Sequence, residues 1–339
     1  MTWLAWRQFR MQALVAGIAL LVFVGLYGFT GMRLHHLAQT AGFPGCLTVD
    51  GCRTFTNALR GPGSYPLQYN VGIGLMYAVP ILIGLFWGAP LVAREFAGGA
   101  YRMLWTQSIT RSRWLVSKLV LVGVASILTV AIMSLVMSWW ARPIDGVGLS
   151  EGVNRFTPLI FGARGIAPVG YAFVCFAAGV LIGVLVRRTV PAMAITLVVA
   201  VAAMVVTPLV LRPHYRPAVA KVIEVKDLAG RKQPINVRIS APDNRMQLII
   251  GNAPLGSWVL TNDTIDKNGD IFRTRAPSAC LGPNFDPCAR YLDGLNLSQR
   301  ITYQPGDRYW QFQIIETTLL VLVGLGLCAV SVGLIRRPG

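Results

Sequence analysis

REFAGGAYRMLWTQSITRSRWLVSK, residues 94–118, separates two long apolar runs and decides how the rest of the chain is read. It carries four Arg and one Lys against a single acid, Glu95. On one side lies Val71 to Ala93 and on the other Trp114 to Trp140, each long and apolar enough for a helix that crosses a bilayer, which takes about 20 residues. A basic connection between two spans makes this a polytopic membrane protein. The composition agrees: 54% of residues are hydrophobic and 13% charged, against roughly 25% charged in soluble domains. Mean hydropathy is +0.55. The formal charge of +17 would suggest nucleic acid in a soluble chain. Here the basic residues border spans, where they set topology and meet anionic headgroups. No basic patch interleaved with aromatics sits on a soluble module, so no nucleic-acid partner is expected.

Working outward, Trp3, Trp6 and Phe9 share roughly one helical face with Arg7 and Arg10 beside them, a pattern suited to the membrane–water interface. Ala13 to Met32 follows as a first span, longer than the roughly 7–15 apolar residues of a cleaved signal peptide. Arg33 to Asn70 reads as a polar loop with His35, His36, Cys46 and Cys52. The second span, Val71 to Ala93, contains Pro80, Pro90 and Gly84-xxx-Gly88. After the third span and a polar loop from Arg142 to Pro168, Val169 to Val186 is a fourth span with Gly179-xxx-Gly183. Small residues at that spacing let helices approach closely. Arg187-Arg188 is a tight turn into the fifth span, Val190 to Leu211, where Pro208 is placed to kink or end the helix.

Residues 212–308 are the one segment large enough to fold separately. Ile235, Val237 and Ile239 alternate with polar residues at strand period, and Asn268-Gly269 is a tight-turn pair. Tyr309 to Ile335 is the sixth span. The expected fold is mainly α and polytopic, with six transmembrane helices, a cytoplasmic coupling helix and a small β-rich extracellular domain between the fifth and sixth spans. Its parts are residues 1–211 with the coupling loop at 94–118, the external domain at 212–308, and the sixth span with a cytoplasmic tail at 309–339.

Orientation follows from the short loops. The amino end, residues 94–118, Arg187-Arg188 and the carboxyl end fall on one side and carry eleven Lys and Arg; the two shorter loops opposite carry six. By the positive-inside rule both termini are cytoplasmic, in the cell membrane. The Cys pairs Cys46/Cys52 and Cys280/Cys288 then lie outside, where disulfides form. Metal binding competes with that reading, although neither pair has CxxC spacing and His is scarce. Cys175 and Cys328 sit singly in apolar runs as small hydrophobes.

Chemistry is sparse. GxxxxGK[ST] and HExxH are missing, so neither P-loop ATP binding nor that metal-dependent scheme is expected, and no cofactor or metal is assigned. Asp266-x-Asn268-Gly269-Asp270 is no calcium loop, since Thr264 and Arg275 occupy the places where acids are needed. Glu316 is the one acid inside an apolar run. An intramembrane acid marks a functional site by default, here a transport path or gate; pairing with a nearby Arg is the structural alternative. In the opening stretch, Tyr101, Leu104, Trp105 and Ile109 fall at helical spacing on one side, after Gly98-Gly99 allows a change of direction. Thr110 and Ser112 offer hydroxyls to cap the next helix. A helix that only anchors the membrane surface is the competing reading.

Ala93-Arg94-Glu95, Gly98-Gly99, Arg102, Trp105-Thr106-Gln107-Ser108, Thr110-Arg111 and Arg113-Trp114 together resemble a phrase of type-2 ABC exporter permeases, in their actinobacterial branch. WRQFR at Trp6–Arg10, GIAPVGYA at Gly165–Ala172, RRTVPAM at Arg187–Met193 and YQPGDRYWQFQIIE at Tyr303–Glu316 extend the likeness over the whole chain. Gly99-Ala100 departs from it, standing where the phrase has Gly-Thr. The resemblance implies a coupling helix, with Glu95, Gly98, Gly99, Arg102, Trp105, Thr106, Gln107, Arg111 and Arg113 as its coupling residues, that docks on a separate cytoplasmic ABC ATPase subunit. It further implies two ATPase copies holding ATP and Mg, a second permease copy forming a homodimer, and outward transport of an amphiphilic antibiotic, peptide or lipid-like substrate. A membrane-anchored extracytoplasmic receptor or assembly protein acting through 212–308 is the alternative from another class.

Overall fold

A computed structural model describes residues 2–41, 55, 57, 59, 61, 65–97, 110–145, 154–224, 236–240, 245–249, 254, 256–275, 277–280 and 286–336. The chain divides into two compact units: Met1–Tyr215 with Trp310–Gly339, and Arg216–Tyr309.

The first unit is a helix bundle. Its described spans are α1 (Thr2–Thr40), α2 (Tyr65–Ala97), α3 (Arg111–Trp140), α6 (Ala167–Val186), α7 (Thr189–Val206) and α9 (Tyr309–Arg336). Short helices α4 (Arg142–Asp145) and α5 (Pro158–Gly162) lie between the third and fourth. All six long helices are apolar enough to cross a membrane. α1 is longer than the run Ala13–Met32: it takes in the interfacial start and continues through Arg33, His35 and His36. Helical hydrogen bonding does not stop where apolar character does.

α6 is the centre of the bundle, with 72% of its apolar window enclosed, against 11% for α1. Glycine explains how α2 reaches it. A Cβ on Gly84 would run into the Cys175 carbonyl, and one on Gly88 into the Phe176 carbonyl and the Gly179 Cα. Reciprocally, Cβ atoms on Gly179 and Gly183 would strike the backbone of Gly84, Gly88 and Ala89. The two GxxxG faces therefore pack on each other. In lipid, where apolar association has little hydrophobic driving force, such close backbone packing holds helices together.

Both spans that contain a late proline widen into π turns. Ile83–Gly88 interrupts α2, and Thr207–Leu211 follows α7 and leads into a 3₁₀ turn, Arg212–His214. Pro90 has no N–H for the Phe86 carbonyl, which accepts instead from Gln12 Nε2 at 3.3 Å. The amino half of α1 is thereby tied to α2. Beside this bond, Phe9 meets Trp87 edge-on with centroids 4.9 Å apart.

Among its described residues the second unit holds two antiparallel three-stranded sheets. One has the order β1 (Val219–Glu224), β6 (Ser298–Gln304), β4 (Trp258–Ile265); the other is β2 (Asn236–Ser240), β3 (Arg245–Ile249), β5 (Thr274–Arg275). Central strand β6 turns Gln299, Ile301 and Tyr303 inward and leaves Arg300 exposed, the period-2 pattern of a half-buried strand. Gln299 is satisfied by Thr264, which donates to its Oε1 at 2.9 Å, and by donating to Asn262. The Asn268-Gly269 pair makes its turn: Gly269 has φ +88°, and Asp266 Oδ1 accepts the N–H groups of Asn268 and Asp270 at 2.8 and 3.1 Å. A disulfide joins Cys280 to Cys288 in α8 (Asp286–Asp293). Cys46 and Cys52 lie outside the described residues. Cys175 and Cys328 are free thiols.

Candidate functional site

Glu316 is fully buried in α9 and is not alone. Arg212 donates to it twice, Nε to Oε2 and Nη2 to Oε1, each at 2.7 Å. Tyr171 of α6 donates its hydroxyl to Oε1 at 2.9 Å. Both charged side chains have 0% exposure, which makes this an enclosed bidentate pair. The remaining guanidinium nitrogen, Nη1, donates to the Pro158 carbonyl at 2.9 Å, and the guanidinium lies 4.2 Å over the Phe161 ring. One cluster thus joins the fifth span, the sixth, the fourth and the short helix α5.

The π turn is what brings Arg212 to this place. Its N–H bonds the Thr207 carbonyl five residues back rather than four. One extra residue in a turn rotates everything after it by about 100° around the axis. On a regular helix Arg212 would therefore point away from Glu316. Reading Arg212 as the first residue of the external domain missed this; Pro208, one turn before a lone Arg, was the available signal.

Below the ion pair, Gln313 of α9 is also fully buried and makes four bonds to the bend after α5. Its Oε1 accepts the N–H groups of Ile166 (2.9 Å) and Ala167 (2.8 Å), and its Nε2 donates to the Phe161 and Arg164 carbonyls at 3.1 and 3.0 Å. Gly165, at φ +74°, lies against the Gln313 amide and so has two reasons to lack a side chain. Arg164 pairs in turn with Asp145 of α4 through two bonds of 2.6 and 2.7 Å. Ser134 of α3 donates to the Gly165 carbonyl at 2.5 Å. The segment from α5 to the start of α6 is thus fixed from two spans, α3 and α9, and from the short helix α4. A glutamine this useful looks unremarkable in the sequence, because nothing local marks which backbone groups it serves.

A second buried pair closes the opening stretch. Glu95, in the last turn of α2, meets Lys118 of α3, with side-chain exposures of 10% and 6%. Lys118 also lies over the Trp114 ring, 4.7 Å from its centroid. The two ends of the loop are thereby joined from inside. Glu95 is turned inward, whereas Arg94 and Arg113 are exposed. Gly98, Gly99, Arg102, Trp105, Thr106 and Gln107, and the side chain of Arg111, lie outside the described residues. Thr110 occupies the N-cap position of α3, but its hydroxyl makes no capping bond there. Beside the pair is a cavity of 320 Å³ lined by Phe9, Gln12, Trp87, Pro90, Leu91, Arg94, Glu95, Lys118 and Val122. Among the described residues no group of His, Cys, Asp and Glu is arranged to hold a metal ion.

Among the described residues, six apolar helices around a glycine-packed centre, with charges enclosed in pairs, define a multi-pass membrane protein. Residues 17–212, more than half the chain, match the family described as ABC-2 membrane transporter related, and the chain belongs to that family. Its members are membrane transport subunits that work with an ABC ATPase subunit and are not themselves the ATPase. No curated protein and no solved structure matches the chain.

Proposed function

We propose that this chain is the permease of an ABC exporter, moving an amphiphilic antibiotic, peptide or lipid-like substrate outward while ATP and Mg are handled by a separate ATPase. The observation that carries the reading is the Glu95–Lys118 pair, set in a chain of this family. A loop that is to transmit force must have its ends fixed to the spans it moves. The pair links the last turn of α2 to the first turns of α3, so a push on residues 98–109 displaces both spans as one body. In this reading Glu95 acts from within, through Lys118, while Arg102, Arg111 and Arg113 meet the acidic or polar rim of the ATPase.

The basic balance of the short loops supports cytoplasmic termini and a cytoplasmic loop at 94–118. The Cys280–Cys288 disulfide supports an oxidising location for residues 212–308. Two permease copies and two ATPases make the working complex. Glu316 with Arg212 is the gate: opening a path between the fourth, fifth and sixth spans separates or re-pairs these charges. Direct evidence comes from co-expressing the chain with a cognate ATPase and reading substrate-stimulated turnover in liposomes. Arg102→Glu with Arg111→Glu is expected to abolish stimulation and association. Undiminished stimulation in that variant sinks the coupling assignment, and full binding activity in isolated residues 212–308 favours a receptor instead.

A further inference from the structure

The cavity beside Glu95 and Lys118 has the chemistry of a lipid site. Phe9, Trp87, Leu91 and Val122 supply apolar wall, and Gln12 and Arg94 supply polar groups. Lys118 is neutralised by Glu95, so Arg94 leaves the cavity with one uncompensated positive charge. Arg94 is exposed and has no acid partner among the described residues. We propose that the cavity binds the headgroup of a monoanionic phospholipid, its phosphodiester held by Arg94 and the Gln12 amide.

A single phosphodiester cancels the one open charge, and a guanidinium grips phosphate through two parallel hydrogen bonds. The volume of 320 Å³ suits a headgroup and the glycerol below it, at the small end of ligand cavities of about 300–1,000 Å³. The acyl chains have a track to follow. Met11 of α1 and Leu82 and Phe86 of α2 are 64%, 46% and 47% exposed, on the two helices that the Gln12–Phe86 bond joins. Arg94 lies in the last turn of a span, the depth at which lipid phosphates sit, and basic pockets between spans hold anionic headgroups. The inference requires that the spans cross a bilayer and does not depend on the exporter reading. Free phosphate shares the same anion chemistry; the apolar walls favour the lipid.

The test uses full-length protein purified in detergent and equilibrated with equal phosphatidylglycerol and phosphatidylcholine, with retained lipid counted by native mass spectrometry. Wild type is expected to retain phosphatidylglycerol about fivefold over phosphatidylcholine, the preference one cation near an anionic surface provides. Arg94→Gln and the cavity-filling Leu91→Trp are expected to lose that preference, and Arg94→Lys to keep most of it. Equal retention of both lipids by wild type, or an unchanged preference in Arg94→Gln, overturns the proposal. Inorganic phosphate or chain-free glycerophosphoglycerol displacing the lipid at equal concentration overturns it as well, leaving a site for free anions.

Discussion

Replacing Glu316 by Leu removes the acceptor for Arg212 Nε, for Arg212 Nη2 and for the Tyr171 hydroxyl at once. Arg212, at 0% exposure, then keeps only the Pro158 carbonyl and the Phe161 ring. Removing one partner of a buried pair costs ~3–5 kcal/mol, because the other charge is left in a medium that cannot solvate it. Arg212→Met leaves Glu316 in the same difficulty and is expected to cost a similar amount. The double variant removes both charges. It leaves the Tyr171 hydroxyl without its acceptor and the Pro158 carbonyl with only a long 3.5 Å bond from the Tyr77 hydroxyl, at ~1–3 kcal/mol each. Its expected loss is therefore on the order of 2–6 kcal/mol, short of the ~6–10 kcal/mol that the two single losses would give if independent. The assay is a double-mutant cycle on the full chain in one detergent, by chemical unfolding with thermal melting as a check. A loss in the double variant that equals the sum of the singles within ~0.5 kcal/mol refutes the reasoning, since independent sites add that closely.

Lys118→Met is expected to leave Glu95 without its partner and raise hydrogen exchange across residues 94–97 and 110–118, whereas Lys118→Arg keeps the protection; equal exchange in both variants contradicts the closing role of the pair. Gln313→Leu strands the Ile166 and Ala167 N–H groups and the Arg164 carbonyl and leaves the Phe161 carbonyl only its backbone donors, at ~1–3 kcal/mol for each stranded group, so folded yield should collapse. Gln313→Glu, which keeps the acceptor for Ile166 and Ala167, should retain more folded protein by size-exclusion chromatography. Gly179→Val places a side chain against the backbone of Gly84 and Gly88 and is expected to cost at least ~1–3 kcal/mol in the same unfolding assay. Gly74→Ala, with no neighbour within 4 Å of a new Cβ, should be silent. Without reductant, Cys280 and Cys288 should resist alkylation under denaturing conditions, while Cys175 and Cys328 react.

The spans were legible because apolar length is written along the chain: a run such as Thr189–Val206 can bury its backbone polar groups only as a helix in lipid. The basic stretch at residues 94–118, the Cys280–Cys288 bridge, the Asn268-Gly269 turn and the two GxxxG patterns were legible for the same reason, since each is a local signal. Pattern alone left open which faces meet. A span that is apolar all round carries no stripe to say what it packs against, and the mutual contact of Gly84, Gly88 and Gly179 emerged only in three dimensions.

The sequence by itself determined that Glu316 lies inside a membrane span, and that an acid there is costly enough to need a purpose or a partner. Only the tertiary structure decided that the partner is Arg212, 104 positions away, with Tyr171, 145 positions away, completing the cluster. The physical reason is the π turn after Val206. Its added residue swings Arg212 toward Glu316 by an amount fixed by backbone geometry, which no periodicity in the side chains records. Lys118 makes the same point at the other cluster. Its charge within an apolar run is plain in the sequence, but its union with Glu95 depends on how α2 and α3 return to each other.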